Sequence, residues 1–141
     1  MLGTLLAALL LLAGCGDDAD GREVGACLER VEGDSGPELA AVDCDRPHDL
    51  ELVGIVDGDD LGSEWPGEAE LSRWAFQRCA EAFEDYVGEA YGSSLLDLEL
   101  LAPSEEDWSS GQREVRCAAG TLDGVQSRGS ISAGSSEQDV R

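Results

Sequence analysis

Lysine is absent from this 141-residue chain, and all nine of its basic residues are arginine. That removes Schiff-base chemistry, the phosphate-binding P-loop and Ser–Lys catalysis from consideration. Histidine occurs once, at His48, so no site built on two imidazoles exists. No pair of cysteines has the C-x₂₋₄-C spacing of a zinc ribbon. Aromatic residues make up 5% of the chain, so the core must be assembled largely from Leu, Val and Ala. Positive charge is scarce as well: 31 acidic residues give a formal charge of −22. A surface of that sign repels nucleic acid and anionic headgroups, which excludes nucleic acid as a partner and disfavours electrostatic membrane docking. There is no internal repeat.

Long apolar stretches are missing too, apart from the first residues, "MLGTLLAALLLLAGC". The run from Thr4 to Ala13 is too short to span the roughly 30 Å hydrocarbon core and reads as a signal-peptide h-region. No Lys or Arg precedes it, a departure from the usual positive n-region. Leu12-Ala13-Gly14-Cys15 resembles the lipobox of bacterial lipoproteins. That resemblance implies a signal peptide over 1–14, cleavage before Cys15 and acylation of its thiol. The expected location is the outer face of the cytoplasmic membrane, held there by lipid. Residues 15–22 then form a polar tether, 23–126 the folded domain and 127–141, rich in Ser and Gly, a disordered tail.

Four further cysteines, Cys27, Cys44, Cys79 and Cys117, are expected to form two disulfides in an oxidising compartment. Three pairings are open. Cys27–Cys44 with Cys79–Cys117 is favoured by the periodicity of the second half. Leu71, Ala75, Cys79, Ala82, Phe83 and Tyr86 share one face of a helix expected over Glu68–Val87. Its first turn carries Glu68 and Glu70, and Gly88 stops it. A partner for Cys79 belongs on a strand beneath that face, and the segment Glu114–Ala119 contains Cys117. Other expected strands are Val24–Leu28, Leu39–Cys44, Leu50–Val56 and Leu95–Leu101, with turns at Gly33–Pro37 and around Pro103–Trp108. The fold class is therefore α+β: one main helix on a small antiparallel sheet of four or five strands.

Three short motifs suggest chemistry. Gly33-Asp34-Ser35-Gly36-Pro37 is similar to a serine-protease nucleophile loop, but His48 follows the serine and the chain has no room for two barrels. Asp57-Gly58-Asp59-Asp60-Leu61-Gly62 is similar to the start of an EF-hand loop, with Leu61 where an oxygen ligand belongs. Cys44-Asp45-Arg46-Pro47-His48-Asp49 holds the histidine beside two acids. No nucleophile is nominated nearby, and the expected role of Pro47 and His48 is a strand corner, with the imidazole capping backbone groups. No catalytic residue, metal or cofactor is expected.

The pattern Val24-Gly25-x-Cys27, then Val42-Asp43-Cys44-x-x-Pro47-His48-Asp49-x-Glu51, resembles the septum-formation domain family of secreted and membrane-anchored proteins in high-GC Gram-positive bacteria. The likeness continues through Trp65-Pro66-Gly67, Cys79, Phe83, Tyr86-Val87-Gly88, Pro103-Ser104, Trp108, Gly111, Arg113, Val115 and Cys117. It implies an extracytoplasmic domain associated with cell division, and it brings no catalytic residues. The leading expectation is a non-enzymatic, lipid-anchored binding or structural module of the envelope, with envelope or division proteins or the cell wall as partners. An exposed aromatic among Trp65, Trp74 and Trp108 would anchor such a partner, with Trp74 and Trp108 expected in the core. The alternative is an envelope hydrolase or metal-dependent enzyme using His48 with Asp45, Asp49 or a distant carboxylate. A ligand-binding lipoprotein feeding a transporter is disfavoured by length.

Overall fold

A computed structural model describes residues 20–133. Five strands form a single antiparallel sheet: β1 (Cys27–Gly33), β2 (Gly36–Val42), β3 (Leu50–Asp57), β4 (Leu96–Leu101) and β5 (Glu114–Thr121). Their order is β2-β1-β3-β5-β4. The long helix α1 (Glu68–Val87) packs on one face, with its apolar stripe Leu71, Ala75, Cys79 and Phe83 buried at four-residue steps. Its ends are those read from the sequence, and Gly88 closes it in the left-handed conformation at φ 83°.

Both predicted disulfides are present, Cys27–Cys44 and Cys79–Cys117. The second joins α1 to β5 through the middle of the main core, where Val53, Phe83, Trp108 and Val115 surround it. A smaller cluster of Leu28, Leu50, Leu52 and Ala118 lies on the opposite face of the sheet. β3 is thus buried on both faces. Side chains alternate along a strand, so Leu50 and Leu52 face the small cluster while Glu51 and Val53 face α1. Gly54 is required by the closeness of that helix: a Cβ there would come 2.5 Å from Ala82 Cβ.

Several local expectations are corrected. β1 begins at Cys27, and Val24 is left half exposed outside it. The Gly33–Pro37 turn is tighter than its composition suggests, because Gly33 and Gly36 pair as the last rung and leave Asp34-Ser35 as a two-residue loop. Gly36 takes φ +126°, open to glycine, and Pro37 is tolerated because β2 is an edge strand. Between β4 and β5, a short helix α2 (Glu105–Ser109) replaces the expected turn. Ser104 and Asp107 form its reciprocal capping box, and the helix buries Trp108 completely. Gly21, placed in the tether, is buried against Leu28, and its carbonyl accepts from Arg116 Nη1 at 3.2 Å.

The larger correction concerns the chain after 126. Residues 127–133, expected in a disordered tail, lie against the domain. Ser127 bridges His48 through a reciprocal pair of 3.0 Å backbone hydrogen bonds. Gly129 N donates to Cys44 O at 2.7 Å and Ala133 N to Tyr86 O at 2.9 Å. Backbone amides and hydroxyls hold this segment, and Ser/Gly composition gives no periodic apolar signal for such docking. Residues 1–19 and 134–141, including Cys15, the signal segment and most of the expected tether, lie outside the described residues.

Candidate functional site: a buried histidine–glutamate cluster

The chain leaves β2 at Val42, turns through Asp43–Arg46 with Arg46 N donating to Asp43 O at 2.9 Å, and passes Pro47 into His48. Proline disfavours helical backbone at Arg46 and so keeps the approach to β3 extended. His48 is 1% exposed. Its Nδ1 lies 2.8 Å from Arg46 O. A carbonyl only accepts, so Nδ1 carries the proton, and in the neutral ring the lone pair sits on Nε2. Nε2 is buried with no hydrogen-bond partner among the described residues.

Glu51 stands beside it, also 1% exposed. It is the direct cross-strand partner of Cys27 and projects from the same face of the sheet. Three donors surround its carboxylate. Tyr86 Oη and Ser130 Oγ each donate to Oε1 at 2.6 Å, and Ile131 N donates to Oε2 at 2.9 Å. Burial pushes the Tyr86 phenol up to about 12, with its hydrogen bond to Glu51 adding to the rise. A ring nitrogen of His48, Cys27 Sγ and a Glu51 oxygen all lie within 4.8 Å of one another. The chain thus concentrates a disulfide, an imidazole and a carboxylate in one buried cluster between β1, β3, α1 and the terminal segment.

Neither acid next to His48 in sequence joins this cluster. Asp49 Oδ2 accepts from Arg30 N at 2.7 Å and from Gln126 Nε2 at 3.2 Å, and Asp45 is exposed. The carboxylate that accompanies the histidine is Glu51, which the sequence pattern contains but does not single out. Tyr86, Ser130 and Ile131 are likewise additions from the structure. One signal for Glu51 exists in the sequence: it is the only charge in the run Leu50–Val56.

A second cluster gathers the tryptophan motifs. Trp65 is half-buried and packs edge-on against Trp108 at 5.9 Å. Arg113 Cζ lies 5.7 Å from the Trp108 ring, and its Nη1 reaches Asp59 at 3.5 Å. Trp108 fills the core, whereas Trp74 is half-buried at its margin under Arg78, 4.4 Å away. The acids of the EF-hand-like stretch act locally: Asp57 Oδ1 accepts from Asp59 N, and Asp59 pairs with Arg113.

The profile described as septum formation matches residues 13–117, a span that contains most of both clusters. The chain belongs to the septum formation family. No curated protein and no solved structure matches the chain. Of the residues that carry the resemblance, Cys27, Cys44, His48, Glu51 and Tyr86 meet in the first cluster, and Trp65, Trp108 and Arg113 in the second. Among the described residues no helix is long and apolar enough to cross a membrane.

Proposed function

We propose that this septum-formation protein is a lipid-anchored, extracytoplasmic binding module of the cell envelope, engaged during septum formation and working without catalysis of its own. Family membership supplies the process, and the resemblance of Leu12–Cys15 to a lipobox supplies the anchor through Cys15. The observation that carries the mode of action is the enclosure of His48. The imidazole is sealed at 1% exposure, bonded to a backbone carbonyl and held beside a disulfide. A general base must reach substrate directly or through one water, and this one faces the interior. What remains outside is a strongly acidic surface, suited to envelope or division proteins with neutral or basic faces or to the cell wall.

The alternative, a hydrolase or metal-dependent enzyme built on His48, draws on the nearness of Glu51. Localisation of a tagged copy in living cells, with crosslinking and mass spectrometry, tests the proposed role. Enrichment at division sites with division-protein crosslinks is expected, and Cys15→Ala should release the protein from the membrane fraction. A uniform distribution without such partners would overturn the septal role. For the mode of action, His48→Ala should lower thermal stability and leave localisation intact; lost function with unchanged melting would favour the enzyme.

A further inference from the structure

We propose that reduction of the Cys27–Cys44 disulfide converts the buried cluster into a zinc-class metal site with Cys27, Cys44, His48 and Glu51 as ligands. A ring nitrogen of His48, Cys27 Sγ and a Glu51 oxygen already stand within 4.8 Å of one another, and Cys44 Sγ is bonded to Cys27 Sγ. His48 is prepared for the role. Its Nδ1–H is committed to Arg46 O, the arrangement that fixes tautomer and ring orientation in metal-ligating histidines. Its Nε2 is a buried lone-pair nitrogen with no hydrogen-bond partner among the described residues, which a metal ion would satisfy. Glu51 accepts two hydrogen bonds on Oε1 and one on Oε2, and a carboxylate has about four lone-pair sites, so Oε2 retains capacity for a ligand bond.

Two thiolates, one imidazole and one carboxylate form a four-donor set of the borderline-soft kind that tetrahedral Zn²⁺ prefers. Charge supports the exchange. Zn²⁺ with two thiolates is formally neutral, as the disulfide is, so Glu51 remains the net buried charge in both forms. A dithiol reductant supplies the chemistry. Its thiolate attacks the Sγ of Cys44, the half-buried residue of a pair whose other member is 1% exposed, and the Cys27–Cys44 bond breaks to release the Cys27 thiolate into the cluster. The reductant's second thiol resolves the mixed disulfide, leaving an oxidised reductant and two protein thiols. Zn²⁺ then displaces their two protons. Cys79 and Cys117 are both 0% exposed and offer no such route, so the second disulfide holds the domain together meanwhile.

The test uses the full chain purified in detergent, treated with a phosphine reductant that is then removed without air, and given one equivalent of Zn²⁺. Native mass spectrometry should show two added hydrogens, not four, then one bound zinc; the untreated chain should bind none. Cobalt substitution should give a thiolate-to-metal charge-transfer band that disappears when the disulfide re-forms. His48→Ala should weaken zinc binding by about a hundredfold or more, and Tyr86→Phe, which only orients Glu51, by about tenfold. Equal affinity in the His48→Ala protein would reduce the result to an adventitious two-cysteine site and overturn the proposal. So would a folded, reduced chain that takes up no zinc. If reduction unfolds the domain, circular dichroism decides: zinc should restore the fold, and a chain that stays unfolded with zinc refutes the site.

Discussion

Replacing Glu51 with Gln is the most direct probe of the buried cluster. The carboxylate accepts from Tyr86 Oη, Ser130 Oγ and Ile131 N, and it does so at 1% exposure. Hydrogen bonds to a charged group contribute about 1.5–3 kcal/mol each, against about 0.5–1.5 for neutral pairs. Three weakened bonds therefore lose about 3 kcal/mol in total. Geometry adds a conflict. If the Gln carbonyl serves the two hydroxyls, its amide meets the Ile131 N–H, donor against donor. If the amide turns away, both hydroxyls must redirect their protons. An opposing effect is that an amide costs less to bury than a carboxylate, which returns part of the loss. The net expectation is destabilisation of about 2 kcal/mol, a large share of the roughly 5–15 kcal/mol available to a small domain. Urea unfolding of wild type, Glu51→Gln, Tyr86→Phe and the double variant measures it. Because the two residues share a bond, the double variant should cost less than the sum of the single changes. A Glu51→Gln protein within about 0.5 kcal/mol of wild type, with additive behaviour in the double variant, would refute the hub that these distances describe.

The raised Tyr86 phenol fixes an alkaline transition. Below the ordinary value near 10 the neutral phenol is bonded to Glu51, and that contribution is lost as pH rises from there through about 12. In a Tyr91→Phe background, ultraviolet titration should therefore find the remaining tyrosine ionising late, and Tyr86→Phe should flatten the fall in stability over that window. Gly54→Ala places a methyl 2.5 Å from Ala82 Cβ, and thermal melting should show a loss of about 1–3 kcal/mol as α1 is pushed from β3. Removing Cys79–Cys117, which spans 38 residues, should cost about 4 kcal/mol on chain-entropy grounds, and removing Cys27–Cys44, which spans 17, about 3. A reversed order in denaturant melts would count against that account. Truncation after Gln126 removes two of the three Glu51 donors and the strand partner of His48; unfolding free energy should drop by about 3 kcal/mol, whereas a tail without contacts would cost nothing.

Legibility in the sequence followed periodicity. α1 was readable end to end because its buried residues repeat at four-residue steps from Leu71 to Phe83, its first turn is acidic and its stop is a glycine. Cys79 inherits that regularity, so its pairing with Cys117 could be argued from which strand runs beneath it. α2 was not readable, since five residues hold too little pattern to separate a helix from a turn. Its signal was local instead: Ser104 followed three residues later by Asp107, a capping pair with Asp in the position more often held by Glu. The strand ends shifted for a related reason. Pairing extends as far as backbone partners continue, so Gly33 and Gly36 stay in the ladder although both look like turn residues.

The site was half legible, and the missing half has a single cause. His48 stood out because it is the only histidine, and Cys27 and Cys44 because they are countable. Glu51 did not, because in a chain with 31 acidic residues one more carries no information until its burial is known. Nor did the donors that make the burial tolerable. Tyr86 lies 35 residues away on α1, and Ser130 and Ile131 lie 79 and 80 residues away in a segment whose composition resembles a tail. Among the described residues no cation pairs with Glu51, and a buried carboxylate of that kind survives only when hydroxyl and amide donors replace its water, so Glu51, α1 and the terminal segment depend on one another. Docking of residues 127–133 is therefore one half of a polar bond whose other half is hidden in β3. Neither half can be read from the sequence without the other, and the same segment that supplies two of the donors to Glu51 also pairs with His48.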